Sequence, residues 1–586
     1  MPPQTSRVLQ LNAAGAWLLV VCAVAQPPPP DTVYINANIY TVDPARPRAE
    51  ALAVAGERIA AVGSLAEITR LKHPTTRTID LHGATVLPGL IDAHGHMAGL
   101  GSFAFGRLDL SSARSFADVL AAVAERVKSA KPGEWILGGR WDHESWPERK
   151  LPTHHQLSAV SPDNPVWLTR VDGHAGLANA AAMKLAGVTL ETPSPAGGEI
   201  LRDQKGEPTG IFVDNAEDLI ARHARAAGVS ADSASELVEG RDESAVGSSE
   251  QLLLKAQELC LSVGLTGVHD AGVSPGDIAT YDRLAADGRL KLRVYAMIAA
   301  PYAIEYFKSH EPRSGDRLSV RACKIVADGA MGSRGAWLIA PYSDRPTDEQ
   351  GRPYVGLKVT QPEFIRQVAE DALRRGYQVC THAIGDRANQ EVLNAYSLAL
   401  SRRPTKDHRF RIEHAQLLAP EDIPRFAQLG VIASMQPTHC TSDMRWVEAR
   451  VGAERAKGAY AWAQLLRSGA RIAAGSDFPV ESHNPFLGLY AAATRQNADG
   501  QPAGGWRPED RMTREEALRA FTLDAAYAAF EEDRRGSLTP GKLADFVVLD
   551  RDVMTCAPRA ILETKVLRTV IAGETVYQAA LNLAPR

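Results

Sequence analysis

An α/β barrel of the (β/α)8, TIM-like kind, joined to a composite β-sandwich formed by the N- and C-terminal segments, is the architecture this sequence predicts. Three observations carry the prediction. The long middle of the chain alternates apolar, strand-like runs with helix-like stretches, as in a parallel sheet wrapped by helices. Eight such runs can be counted, at residues 89–94, 266–270, 292–298, 321–327, 378–382, 408–414, 431–436 and 471–477, and eight strands close a barrel of this class. The two ends of the chain instead carry strand-like segments with tight turns, at 33–42 and 51–62 on one side and 545–549 and 566–577 on the other. Gly56-Glu57 and Gly573-Glu574 supply matching hairpin turns.

In chain order this gives a signal peptide at 1–25, a proline-rich spacer at 26–31, the first part of the sandwich at 32–88, a barrel at 89–532 and the second part of the sandwich at 533–586. The leader has Arg7 as its positive n-region, an apolar run at 13–25 and a small-x-small cleavage pattern at Ala23-Val24-Ala25. Export to the periplasm or the medium is therefore expected, with an uncleaved anchor as the alternative. Once the leader is removed, no stable membrane span is expected. The barrel is interrupted at about 99–262, too long a stretch for one crossover. That insertion holds Trp135, Trp141, Trp146 and Trp167, which either wall an apolar substrate pocket or form the insertion's own core.

Composition narrows the function. A net charge of -4 with 23% charged residues gives no basic face, so nucleic acid is not an expected partner. Cys260, Cys323, Cys380, Cys440 and Cys556, the cysteines beyond the leader, are scattered and odd in number, so buried free thiols are expected rather than a disulfide framework. Apolar strands at the termini leave a homodimer open.

The chemistry lies where the predicted strands end. Leu87-Pro88-Gly89-Leu90-Ile91-Asp92-Ala93-His94-Gly95-His96 closes an apolar run with two histidines one residue apart, and side chains two apart on a strand share a side, so both imidazoles can grip one ion. Lys324 lies in the fourth run, His382 and His414 end the fifth and sixth, and Asp477 ends the eighth. Histidine and aspartate suit a divalent metal such as zinc. Lys324, in an apolar strand, either pairs with Asp328 or becomes a carbamate bridging two ions. With two metals about 3.5–4 Å apart, a bridging water ionises near neutral pH, and Asp477 takes its proton as general base. Hydrolysis at an amide-like carbon of a small molecule follows.

Five motifs recur together in a known order: the His94-Gly95-His96 stretch, Lys324-Ile325-Val326-Ala327-Asp328-Gly329 with Gly332-Ser333-Arg334, His382-Ala383-Ile384-Gly385-Asp386-Arg387-Ala388, Arg411-Ile412-Glu413-His414-Ala415-Gln416, and Gly475-Ser476-Asp477-Phe478-Pro479-Val480. In these the chain resembles the amidohydrolase superfamily, and within it amidohydrolase family 3, the YtcJ-like proteins and N-substituted formamide deformylases. The resemblance runs from about residue 32 to the C-terminus. It implies that His94 and His96 bind a first metal, that His382 and His414 bind a second, that carboxylated Lys324 bridges them, and that Asp477 is both ligand and base. It also implies that His174, Trp141 and Arg334 lie close to the substrate. Some relatives keep a single ion, so one or two ions are both open. The expected activity is hydrolysis of an amide, N-formyl or N-acyl C–N bond. Two alternatives stand beside it: a non-catalytic binding or regulatory protein on the same fold, and a metal hydrolase acting on carbamates, esters or lactones, or by deamination.

Overall fold

The computed structural model describes residues 29–226 and 248–580; the signal peptide expected at 1–25, the first half of the spacer and part of the insertion lie outside the described residues. Eight parallel strands form the central sheet: β1 (Leu90–Gly95), β2 (Leu265–Val273), β3 (Arg293–Ala299), β4 (Leu318–Val326), β5 (Gln378–Ala383), β6 (Arg411–His414), β7 (Ile432–Met435) and β8 (Ile472–Ala474). Each of the eight predicted runs overlaps one of them. Every residue of β1, β3, β5, β6, β7 and β8 is buried, because helices cover the outside while side chains fill the inside. That double burial is why the strands read as apolar runs rather than alternating ones.

β1 and β8 meet through the residues that follow β8. Asp477 donates its amide to the His94 carbonyl (2.7 Å) and His96 donates to that of Phe478 (2.8 Å), with Gly95 and Phe478 paired in parallel. A Cβ on Gly95 would overlap the Phe478 ring, so the middle residue of the histidine pair has to be glycine. At the opposite end, residues 525–535 form a floor. Ala525, Ala526 and Ala528 pack on Ile91, Ala93, Ile432 and Ala473, the Ala528 carbonyl accepts from Gln378 Nε2 (2.9 Å), and Glu531 accepts from Ser319 Oγ (3.1 Å).

Both chain ends build a sandwich. One sheet runs Arg58–Gly63, Ala51–Ala55, Thr32–Ile35, Arg77–Asp80, and the other Glu574–Gln578, Val566–Ile571, Phe546–Leu549, Thr85–Pro88, Asn38–Tyr40, Arg48–Ala49. Tyr34, Leu52, Val54 and Ile59 of the first sheet pack on Val86, Phe546, Val548 and Val570 of the second. Between β1 and β2 the chain forms a further sheet, ordered Gly198–Arg202, Pro208–Asp214, Ala175–Ala178, Val166–Arg170, Ile136–Trp141, Leu108–Asp109. Its tryptophans are its own core: Trp141 and Trp146 lie in one apolar cluster and Trp135 and Trp167 in another. The cysteines at 260, 323, 380 and 440 are buried free thiols, and among the described residues no helix is long and apolar enough to cross a membrane.

A buried ion pair ties sandwich to barrel. Arg293 on β3 donates through Nε and Nη2 to the two oxygens of Asp545 (2.6 and 2.9 Å), and Asp545 also accepts from the Ala572 amide (2.8 Å). Burial alone would raise the Asp545 carboxyl, but the Arg293 charge and hydrogen bonds outweigh it and hold the group below the usual carboxylate range. A depressed folded-state pKa adds stability above the unfolded value of about 4, lost as the pH falls through the folded one. Asp545→Ala strands the guanidinium and is expected to cost about 3–5 kcal/mol in denaturant unfolding at neutral pH, with a smaller penalty in acid. A neutral-pH loss under 1 kcal/mol would mean that the pair behaves like a surface one.

Candidate metal centre

The carboxyl rim of the barrel gathers the titratable side chains. His94 ends β1 with its ring fully buried between two partners. Its Nδ1 lies 2.5 Å from Glu413 Oε2 and its Nε2 lies 3.0 Å from Lys324 Nζ. A carboxylate only accepts and an ammonium only donates, so Nδ1 carries the proton and Nε2 offers its lone pair to the site. Glu413 is itself held by Arg411 two residues back on β6, at 2.8 and 2.9 Å. Arg411 also reaches His269 Nδ1 (2.9 Å), the Ala93 carbonyl (2.6 Å) and Ser434 Oγ (2.8 Å), all inside the barrel.

His414 follows Glu413 directly, and in an unbroken strand its side chain would face the opposite way. Its φ of 74°, followed by 44° at Ala415, breaks the alternation and turns the ring into the site. Its Nδ1 donates to Gln436 Oε1 (2.8 Å). Asp477, with φ 60°, is turned inward in the same way. Its Oδ1 lies 3.0 Å from His96 Nε2 and 3.5 Å from His94 Nε2, and its Oδ2 lies 3.6 Å from His439 Nε2. Burial opposes ionisation of Asp477, yet the His96 hydrogen bond and the electrostatic pull of the surrounding imidazoles hold its pKa far below the normal carboxylate range. Burial, reinforced by neighbouring cationic groups, pushes His94, His382 and His414 well below the ordinary imidazole value. Neutral imidazoles beside an ionised carboxylate are the protonation states in which these groups bind a divalent ion.

Two donor sets result, His94 with His96 and Asp477, and His414 with His439 and Asp477; within each, the donor atoms lie within 4.8 Å of one another. His382 stands beside both. Its ring is 4.5 Å from that of His414 and 4.8 Å from that of His174, and its buried Nε2, 3.5 Å from Asp328 Oδ1, has no hydrogen-bond partner. Asp328, the alternative ion-pair partner expected for Lys324, instead spends its oxygens on the amides of Ile384, Gly385 and Trp337 (2.8–3.0 Å).

The insertion supplies the outer wall. His174 reaches the site with Nδ1 2.7 Å from Asp214 Oδ1. Burial lowers its pKa, but the hydrogen bond and charge of Asp214, with Asp172 and Asp328 beyond, raise it above the ordinary imidazole value. Trp141 and Arg334, expected beside the substrate, are placed elsewhere. Trp141 is 1% exposed, donates Nε1 to the Leu168 carbonyl (2.8 Å) and lies near the Trp146 ring, as an apolar strand residue of the insertion must. Arg334 pairs with Asp344 (2.8 Å). In its motif Gly332 is the residue that meets the site: a Cβ there would come 2.6 Å from Arg170 Nη1.

Two cavities share the centre. One is walled by Phe103, Ala271, Ala299, Val326, Pro479 and Val480 with Arg107 and Arg140 at its side; the other is polar, with Asp142, Gln416, Ser442, Asp443, Arg445 and Glu481. His94 and Lys324 line the first, His439 the second, and Arg170, His174, His382, His414 and Asp477 both. His439, Glu413, Asp214 and Arg170 were not singled out from sequence. The signal for His439 was there: it lies three residues beyond the seventh predicted run, on the rim that yielded the others.

A parallel barrel with imidazoles and a carboxylate converging at the carboxyl ends of its strands is the layout of a barrel metallohydrolase. The chain belongs to the amidohydrolase family, whose model matches residues 77–577. It is 35% identical to the protein LONG AFTER FAR-RED 3 of Arabidopsis thaliana, over 93% of this chain and 91% of that one. It is 30% identical to an N-substituted formamide deformylase of Arthrobacter pascens, over 94% and 98%. Among solved structures, an uncharacterized metal-dependent hydrolase from Pyrococcus furiosus matches with a TM-score of 0.67 at 29% identity, covering 89% of this chain and all of that one.

The Arg411–Glu413–His94 chain is what orients the first imidazole. Glu413→Gln should weaken divalent-metal binding by about 10–100-fold in chelator competition while circular dichroism stays unchanged. An affinity within twofold of the parent would remove Glu413 from that role.

Proposed function

We propose that this protein is a metal-dependent amidohydrolase that cleaves a carbon–nitrogen bond in a small amide, N-formyl or N-acyl compound. The observation that carries this is the Asp477 carboxylate, flanked by imidazoles, on the wall of both cavities. The name of the Arthrobacter pascens relative, an N-substituted formamide deformylase, favours a C–N bond as the target. The donor set fits a divalent ion, and zinc is the one we favour; when bound, such an ion makes water acidic near neutral pH and polarises a carbonyl.

The chain's own residues do the rest. Asp477 accepts a proton from the attacking water on one carboxylate oxygen and returns it to the leaving nitrogen. His174, kept protonated more readily by Asp214, directs positive charge at the region where the carbonyl oxygen becomes negative. The apolar cavity takes an acyl or N-alkyl substituent, and the polar cavity takes the other end of the molecule. Lys324 Nζ, buried on β4, is a candidate for carboxylation to a bridging carbamate, detectable as a new carbonyl resonance after exposure to 13C-labelled bicarbonate. The leader at 1–25 supports export, checked by the N-terminal sequence of the mature protein.

The test is elemental analysis of full-length protein purified without chelator, followed by a panel of N-formyl, N-acyl, carbamate, ester and lactone compounds. The expected result is bound divalent metal and turnover of an N-formyl or N-acyl compound. Asp477→Asn should then lower kcat by about 10²–10⁴-fold. Absence of metal after reconstitution, or full activity in Asp477→Asn, would overturn the proposal.

A further inference from the structure

We infer that the polar cavity selects a compound with a cationic substituent, an ammonium or amidinium group, and that Asp443, Glu481 and Gln416 recognise it. This rests on the hydrolase reading and adds to it the charge of the substrate. None of the three residues is a donor of the metal centre; they belong to the part of the cavity wall supplied by the end of the helix Pro437–Asp443, the segment after Asp477 and the turn after β6. The other charges of that wall cancel. Arg170 pairs with Asp142 at 2.9 Å and with Asp172, Arg445 pairs with Asp142, and Arg140 pairs with Asp109 at 2.9 Å. Asp443 and Glu481 have no such answer: among the described residues no basic side chain lies within ion-pair distance of either.

What holds the two acids is neutral. Asp443 Oδ2 accepts from Gln416 Nε2 at 3.0 Å and from the Tyr460 hydroxyl at 2.5 Å, and Glu481 Oε1 accepts from Ser442 Oγ at 2.5 Å. Asp443 also ends its helix, where the partial charge of the last carbonyls is negative and offsets nothing. Burial pushes the Asp443 carboxyl up to about 7, with Glu481 adding to the rise, although the Tyr460 hydrogen bond pulls it down. A carboxylate bathed in water stays near about 4, so solvent does not supply the missing counter-charge. Gln416 gives an independent observation. It is 3% exposed and lines the cavity. A carboxylate only accepts, so the atom turned to Asp443 is Nε2 and the atom left over is the acceptor Oε1. Among the described residues nothing donates to it, although buried polar atoms are normally satisfied. Two carboxylates and an amide oxygen match a group that donates hydrogen bonds and is positively charged. An ammonium or amidinium does both, whereas a carboxylate or a plain alkyl chain does neither.

The experiment uses two series of amides with a butyl-length arm ending in ammonium, methyl or carboxylate. The arm is the N-substituent in one series and the acyl chain in the other. Full-length, metal-loaded wild type, Asp443→Asn and Glu481→Gln are compared through kcat/KM for a compound that is hydrolysed and through calorimetric Kd for one that is not. In at least one series, wild type is expected to favour the ammonium compound over its methyl counterpart by about tenfold or more, with the carboxylate last. A smaller ratio in both series, or a preference for methyl or carboxylate, would overturn the inference and leave the hydrolase standing. Each substitution is expected to cut the ratio by about threefold or more, and a ratio unchanged in both variants would also overturn the inference. Should circular dichroism show that the variants misfold, the order of the three endings in wild type decides alone. If no compound is hydrolysed, the hydrolase reading fails, whereas the calorimetric order still decides for or against a cation site.

Discussion

The seam between the first and last barrel strands is the constraint on which the rest depends. β8 contributes only Ile472–Ala474 to the ladder, so closure falls to the residues after it. Asp92, fully buried on β1, is the clamp. It accepts from the Ser476 hydroxyl at 2.6 Å, the Ser476 amide at 3.0 Å and the His94 amide at 3.1 Å, and burial pushes its pKa up to about 7. A Cβ on Gly475 would come 2.6 Å from both Asp92 Oδ1 and the His94 nitrogen, so this crossing tolerates no side chain. The hydrogen bonds that shut the barrel are thus the ones that set Asp477 opposite His94 and His96. Closure and chemistry share one backbone crossing.

Electrostatics inside the barrel follow a consistent rule. His94 and His414 are buried with their pKa values pushed well down, and each is aimed by a polar group on Nδ1: Glu413 for His94, Gln436 for His414. A charged aiming group needs its own counterpart at such depth, which Arg411 provides for Glu413. His174 obeys the opposite rule, being charged more readily by Asp214. The same residue type therefore takes two roles at one rim according to the acidic partner behind it.

Much of this was legible in the sequence because strand ends carry the chemistry in barrels. Apolar runs located all eight strands, and residues at their ends, His94, His96, His382, His414 and Asp477, gathered at one rim. Side-chain direction was not legible. Trp141 follows Arg140, a cavity residue, yet points into the insertion's core; Arg334 lies near the site in sequence and is drawn off by Asp344. His414 reaches the site only through a positive φ that no periodicity forecasts. His439 escaped because a side chain borne on a short helix beyond a strand has no alternation to mark it. Pairing of Asp214 with His174, 40 residues earlier, depends on how the insertion's sheet is ordered.

The sandwich has a consequence for how the molecule comes into being. Thr85–Pro88 leads almost directly into β1, and its sheet neighbour Phe546–Leu549 is among the last strands in the chain. The barrel floor at 525–535 also comes from that late region. During synthesis the early strand emerges long before its partner exists, and the barrel interior stays open underneath until the floor follows. Vectorial folding from the N-terminus can therefore complete the sheet at 32–80 and the insertion's sheet at 108–214, but it cannot close the sandwich or the barrel before residues 525–571 are made. A ribosome must deliver Phe546–Leu549 before Thr85–Pro88 gains its antiparallel neighbour, so an early strand waits on a late one.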